Sequence, residues 1–212
     1  MNKQSSLFRE ISAGAIRDIF VNALQEDIIW ETALLDGGLF NTTYLVEYGL
    51  SHQKAVLRLG PVNRHLIIGF EENLMTAENY AYSLCHAAGI PCSHVLACET
   101  SKQVVDRDFM IVEYIPSIVM SRAELTEEKR EHLYRQMGIY LAGFHQVTGR
   151  HFGFLSRVCK GKLFEKWSDA LIFEAEDIAE RLEQSGGLDR EDAKRLRDCF
   201  YNSSPLFSIR FR

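Results

Sequence analysis

The chain has 212 residues, 46% hydrophobic and 25% charged, with 24 Lys and Arg against 29 Asp and Glu. A chain of this length buries a sizeable core without disulfide or metal staples, and the composition excludes wholesale disorder, collagen and a disulfide miniprotein. The net charge of −5 lacks the basic excess of a nucleic-acid binder, so no nucleic-acid partner is expected.

The N-terminal Met1–Ser6 stretch leads into an amphipathic segment without a signal-peptide core. Residues 12–24 carry Ile16, Ile19, Phe20, Val21 and Leu24 at helical spacing, with Ser12 as cap. Residues 28–36, 43–49 and 54–59 are short β-rich runs punctuated by Asp36-Gly37-Gly38 and Gly49, and predict three successive antiparallel strands. Residues 70–88 return to helical spacing, with Leu74, Ala77, Ala81, Leu84 and Ala88 on one stripe and Gly89 ending the helix. Two further strands fit 94–99 and 107–115, around a polar turn at Thr100-Ser101-Lys102.

After Pro116 the pattern is helical only. Thr126 caps a helix whose face of Leu133, Met137, Tyr140, Leu141 and Phe144 is expected to be buried. A further helix fits 164–184, with Trp167, Leu171, Ala175, Ile178 and Leu182 in register, and another follows the cap Asp189. The predicted organisation is α+β in two lobes, residues 1–115 and 116–212. No run approaches the roughly 20 apolar residues that span a bilayer, so no membrane partner is expected. The five cysteines (Cys85, Cys92, Cys98, Cys159, Cys199) show no Cys-x-x-Cys pair and no ligand-like histidine spacing. They read as small buried thiols of a reduced, cytoplasmic protein.

Four features could carry chemistry. Gly37-Gly38-Leu39-Phe40-Asn41 lies between two strands, where glycines let backbone N–H groups approach an anion; a plain hairpin turn has the same signature. Arg58 ends the strand Lys54–Arg58 and could hold phosphate oxygens, or be an exposed strand charge. Glu78, twenty residues on, could pair with it, or be a solvated helix charge. Asp108–Pro116 runs from a buried strand into an irregular connector, whose free backbone groups could meet a planar base or simply link two lobes.

In combination these residues resemble the aminoglycoside phosphotransferase family, the small-molecule branch of the protein-kinase-like fold. The resemblance rests on Leu35–Val46, Ala55-Val56-Leu57-Arg58, Ala77-Glu78, Ala87–Pro91, Phe109–Ile115 and Leu141-Ala142-Gly143-Phe144-His145. It implies a five-stranded antiparallel N-lobe with one packed helix, followed by a partial helical C-lobe. It implies ATP and Mg²⁺ as cofactors and a small hydroxylated acceptor. Gly37, Gly38 and Asn41 would form the loop over the triphosphate, and Val56 would pack on the adenine. Arg58, paired with Glu78, would contact the α- and β-phosphates. Backbone groups of Glu113 and Ile115 would bond the base. His145 is expected to be a packed, hydrogen-bonded core histidine.

The sequence departs from the family at the catalytic step. Phosphoryl transfer uses a carboxylate base and carboxylate or amide ligands for Mg²⁺. In the family these come from a His-Gly-Asp-like loop ending in Asn and a later Asp; no His-x-Asp and no Asp-x-x-x-x-Asn follows His151. Phe207, Ile209 and Phe211 alternate with polar residues like a strand without a partner, which suggests a frame shifted or truncated near Ser208. The expectation is an ATP-dependent O-phosphotransferase, truncated and catalytically impaired, with no catalytic or metal-binding residues. The alternatives are a nucleotide-binding pseudokinase-like module and a non-functional remnant. The acidic groups Glu127/Glu128/Glu131 and Glu174/Glu176/Asp177/Glu180 would suit a cationic acceptor, or form solvated helix faces. The apolar helical faces are expected to promote self-association.

Overall fold

The computed structural model describes residues 6–35 and 40–208. Along β2 (Thr42–Tyr48) buried and half-buried residues alternate strictly, the period-two pattern of a strand with one face on an apolar layer. Around it lie β1 (Ile29–Leu34), β3 (Gln53–Leu59), β4 (Val95–Glu99) and β5 (Phe109–Glu113). The sheet order is β1-β2-β3-β5-β4, and every neighbouring pair is antiparallel. The fold is α+β, with a five-stranded antiparallel sheet followed by helices.

The core lies on one face of the sheet, under α1 (Ala13–Leu24). Ser12 caps this helix, its hydroxyl accepting from the Ala15 N–H at 3.2 Å. Ile16, Ile19 and Phe20 are buried against Tyr44, Val46, Ala55, Leu57, Leu59, Phe109 and Ile111. Each such side chain contributes about 1.5–3 kcal/mol on burial. The segment before α1 crosses β2, where Tyr44 Oη accepts from the Ile11 N–H at 3.0 Å and Thr42 Oγ1 from the Arg9 N–H at 3.3 Å.

The helix expected from residue 70 begins later, as α2 (Leu74–Ala87). Gly69–Glu71 form a 3₁₀ turn, and Asn73 takes φ +60° while its carbonyl accepts the Ala77 N–H at 3.1 Å. The residues before Leu74 are engaged elsewhere: Ser156 Oγ donates to the Phe70 carbonyl and Arg181 binds Glu72. The predicted stripe is also shifted. Met75 and Ala77 are the buried residues of α2; Leu74, Ala81 and Leu84 are half-buried and Ala88 is exposed.

Backbone contacts group residues 1–64 with 78–148 and residues 65–77 with 149–212. The first unit includes α3 (Glu127–Phe144), capped by Thr126, whose hydroxyl accepts from the Lys129 N–H at 3.4 Å. Its apolar face is not buried as expected: Leu133, Met137, Tyr140, Leu141 and Phe144 are all exposed. No apolar layer covers that face among the described residues of the unit. His145 is likewise no core histidine; it follows the last turn of α3 and is exposed.

The second unit contains α4 (Leu155–Val158), α5 (Trp167–Gln184) and α6 (Arg190–Ser203). Asp189 caps α6, accepting from the Asp192 N–H at 2.8 Å. On α5 the buried residues are Ser168, Ala170, Glu174, Ala175 and Ala179, while Trp167 and Leu182 are exposed. The stripe is rotated from the expected one because α5 turns Glu174 inward to meet Arg157. Phe70 stacks on Phe154 at 4.9 Å between ring centroids. Residues 204–208 form a 3₁₀ helix rather than the start of a strand, and Ile209 and Phe211 lie outside the described residues. The cysteines form no disulfide, and none is deeply buried: Cys199 is exposed and the other four are half-buried.

Candidate nucleotide site

Because Ala55, Leu57 and Leu59 point into the α1 core, the alternation of β3 turns Val56 and Arg58 to the opposite face of the sheet. Register extends that face. Arg58 stands opposite Thr43 on β2 and Met110 on β5; Val56 stands opposite Leu45 and Val112. A short apolar strip of Leu45, Val56 and Val112 therefore runs up to one cation.

That cation is held. Arg58 Nη2 donates to Glu78 Oε1 at 3.1 Å and Arg58 Nη1 donates to Glu78 Oε2. Both side chains are partly exposed. The two-pronged geometry orients the guanidinium plane. It leaves the remaining N–H groups of Arg58 available to a second anion, because guanidinium carries five donors.

The other expected residues are distributed as follows. Asn41 directly precedes β2 and is half-buried, whereas Gly37 and Gly38 lie outside the described residues. Glu113 ends β5, and its N–H donates to the His94 carbonyl at 2.8 Å. Its carboxylate accepts from the His94 N–H at 3.2 Å. The Glu113 N–H is thus committed to the residue before β4. Ile115 is exposed two residues past the strand, and no backbone hydrogen bond among the described residues engages its N–H.

Sequence reading passed over the rest of this face: Thr43, Leu45, Met110, Val112 and Cys98. Their signal was the alternation of each strand, legible only once the register is known. Cys98 stands opposite Met110. Burial pushes its thiol up to about 11, assisted by the charges of Asp108, Glu99 and Glu78.

Two of the α5 carboxylates, Glu174 and Asp177, are drawn into ion pairs, whereas Glu180 is exposed. Glu174 is 4% exposed and accepts two hydrogen bonds from Arg157, at 2.9 and 3.0 Å. Asp177 bridges Arg157 at 2.9 Å and Arg181 at 3.0 Å, and Arg181 reaches Glu72 at 2.8 Å. These carboxylates are satisfied within the protein, which leaves them poorly placed to attract a cationic acceptor. Among the described residues no group of three or more His, Cys, Asp or Glu side chains is arranged to hold a metal ion.

The model of the phosphotransferase enzyme family matches residues 31–202. The chain belongs to that family. The match takes in both Arg58 and Glu78 and most of the helical second half. A solved structure from Ralstonia eutropha JMP134, assigned as an aminoglycoside phosphotransferase, is similar at 16% identity and a TM-score of 0.48. The similarity covers 65% of this chain and 39% of that one, so the chain spans well under half of that protein's length. No curated protein matches. Among the described residues no helix is long and apolar enough to cross a membrane.

Proposed function

We propose that this chain binds a nucleoside triphosphate, of which ATP is the reference member, on the Val56–Arg58 face of the sheet. The observation that carries the reading is the Arg58–Glu78 pair, which presents an oriented cation at the end of an apolar strip. Val56 and Leu45 offer an apolar surface to the base, and the Glu113 carbonyl and Ile115 N–H offer it an acceptor and a donor. Arg58 takes the α- and β-phosphates, with Asn41, Gly37 and Gly38 contributed by the β1–β2 connection. Membership in a phosphotransferase family supports a small hydroxylated acceptor as the family's second substrate.

We propose further that these 212 residues bind without transferring phosphate. What supports the reading is that no His-x-Asp sequence follows His151. No step is assigned to the metal. The cytoplasmic location read from the cysteines belongs to the same proposal, as does self-association through the exposed Leu133, Met137, Tyr140, Leu141 and Phe144 of α3.

Titration with ATP, followed by heat or by Trp30 fluorescence, tests the reading. Saturable binding that persists without Mg²⁺, with no ADP released from ATP and hydroxylated acceptors, is expected. Absence of binding overturns the nucleotide site, and turnover overturns the non-catalytic reading. Light scattering over a concentration series tests self-association; a constant monomer mass refutes it.

A further inference from the structure

Arg107 lies just ahead of β5 and shares the parity of Phe109 and Ile111, whose side chains enter the α1 core. It is 2% exposed, and among the described residues none of its Nε, Nη1 and Nη2 atoms has a hydrogen-bond partner. A guanidinium does not give up its proton in a protein, so burial leaves it charged. Its five N–H groups form a fixed fork, and each one left unbonded away from water destabilises the fold. Such a side chain needs an acceptor that the described residues do not provide.

The surroundings define that acceptor. The groups that act on Arg107 are Asp106, Arg9 and Tyr44. Asp106 Oδ1 approaches Arg107 Nε only to 3.5 Å, and Asp106 Oδ2 accepts from Arg9. One carboxylate is therefore shared between two guanidinium groups, and the three side chains together keep a positive charge. The Tyr44 hydroxyl is already occupied, accepting from the Ile11 N–H at 3.0 Å and donating to the Ile11 carbonyl at 3.4 Å. Arg9 is anchored through its backbone: Thr42 Oγ1 accepts from its N–H at 3.3 Å and donates to its carbonyl at 3.1 Å.

Two guanidinium groups on separately anchored segments, meeting at one carboxylate, offer the forked donors that oxyanions take. The burial of Arg107 restricts the ligand to a few atoms. The way in is the Arg9–Asp106 pair, whose side chains are 55% and 61% exposed; an ion pair so exposed is weak enough to open. We infer that Arg107 and Arg9 form a binding site for a small inorganic oxyanion of the phosphate type, with Asp106 as its internal competitor. The anion takes the Arg107 donors that Asp106 leaves unbonded and balances the remaining positive charge. The site is on the α1 side of the sheet, opposite the Val56–Arg58 face, and does not depend on the nucleotide reading.

Inorganic phosphate is the probe, added to the full chain in an otherwise phosphate-free buffer at constant ionic strength. The first readout is the nitrogen-15 signal of the Arg107 Nε–H, assigned by its loss in Arg107→Met, or in Arg107→Lys if the first variant does not fold. The second is the thermal midpoint. Phosphate is expected to shift the Nε–H signal saturably and to raise the midpoint as a ligand of the folded state does. The rise should shrink in Arg107→Met to the general salt effect. It should persist in Arg58→Met, which separates it from phosphate held on the nucleotide face. Asp106→Asn removes the competitor and is expected to tighten phosphate binding about threefold or more; an arginine with only a structural role would not produce that gain. An Nε–H signal that stays put or drifts without saturating overturns the inference. So do equal rises in wild type and Arg107→Met, or phosphate binding that is unchanged or weaker in Asp106→Asn.

Discussion

Arg58 and Glu78 lie twenty residues apart and meet in a two-pronged ion pair, one on the face of β3 opposite the α1 core and the other in the second turn of α2. A partly exposed pair contributes roughly 0–1 kcal/mol to stability. Arg58→Met is therefore expected to fold with a thermal midpoint lowered by a few degrees at most. Its ATP affinity should fall tenfold or more, because a charge-assisted phosphate contact is worth about 1.5–3 kcal/mol. Calorimetric titration beside a melting curve checks both; affinity equal to wild type would remove Arg58 from the site.

Gly69 has no room for a methyl group. The two atoms that its Cβ would strike belong to Arg157 and Asp177, whose heads are locked to each other and, for Arg157, to Glu174. Gly69→Ala must break that network or displace the 3₁₀ turn. A loss of about 1–3 kcal/mol is expected, by the usual cost of overpacking. Urea unfolding measures it, and an unchanged midpoint would show that the network yields freely.

Arg107 is 2% exposed, and none of its three guanidinium nitrogens makes a hydrogen bond. Asp106 approaches its Nε only to 3.5 Å. Burial holds the guanidinium below its ordinary pKa. Replacing a buried, poorly paired charge by an apolar chain of similar length is often neutral or stabilising. Arg107→Met is expected to leave stability unchanged or raise it by about 1–2 kcal/mol. A large fall in the urea midpoint would mean that Arg107 has a partner that matters to the fold.

Cys98 is expected to resist alkylation while Cys199 reacts. The folded state holds the Cys98 thiol up at about 11, chiefly by burial, so its thiolate is scarce near neutrality. The sign for stability follows. A raised thiol pKa favours the fold while the group is protonated, and that contribution is lost between the ordinary thiol range, near 8.5, and about 11. Iodoacetamide labelling by peptide mass, from pH 7 upward, checks the order; Cys98 labelled first at pH 7 would contradict it.

The strands and caps were legible in the sequence because they rest on local chemistry. Short β-rich runs between turn residues located the strands of the sheet; Ser12, Thr126 and Asp189 marked helix starts where their side chains do accept the expected N–H groups. The pairing of Arg58 with Glu78 was one of two readings of those charges, and the one the family resemblance implied. Burial of helix faces was less so. The stripe of α3 is apolar at helical spacing, yet spacing states only which residues share a face and is silent on whether another layer covers them.

The amino-acid order by itself determined the α+β class, which depends on side-chain type and period, and through its motifs a resemblance to the family and to its cation-orienting residues. The tertiary structure alone decided that Glu174 and Asp177 are spent on Arg157 and Arg181 rather than offered to solvent, and that α2 starts at Leu74 rather than four residues earlier. The start of α2 follows from contacts between segments about 85 to 110 residues apart, Phe70 with Ser156 and Glu72 with Arg181. No local pattern encodes such contacts, because their free energy exists only once the intervening chain has folded.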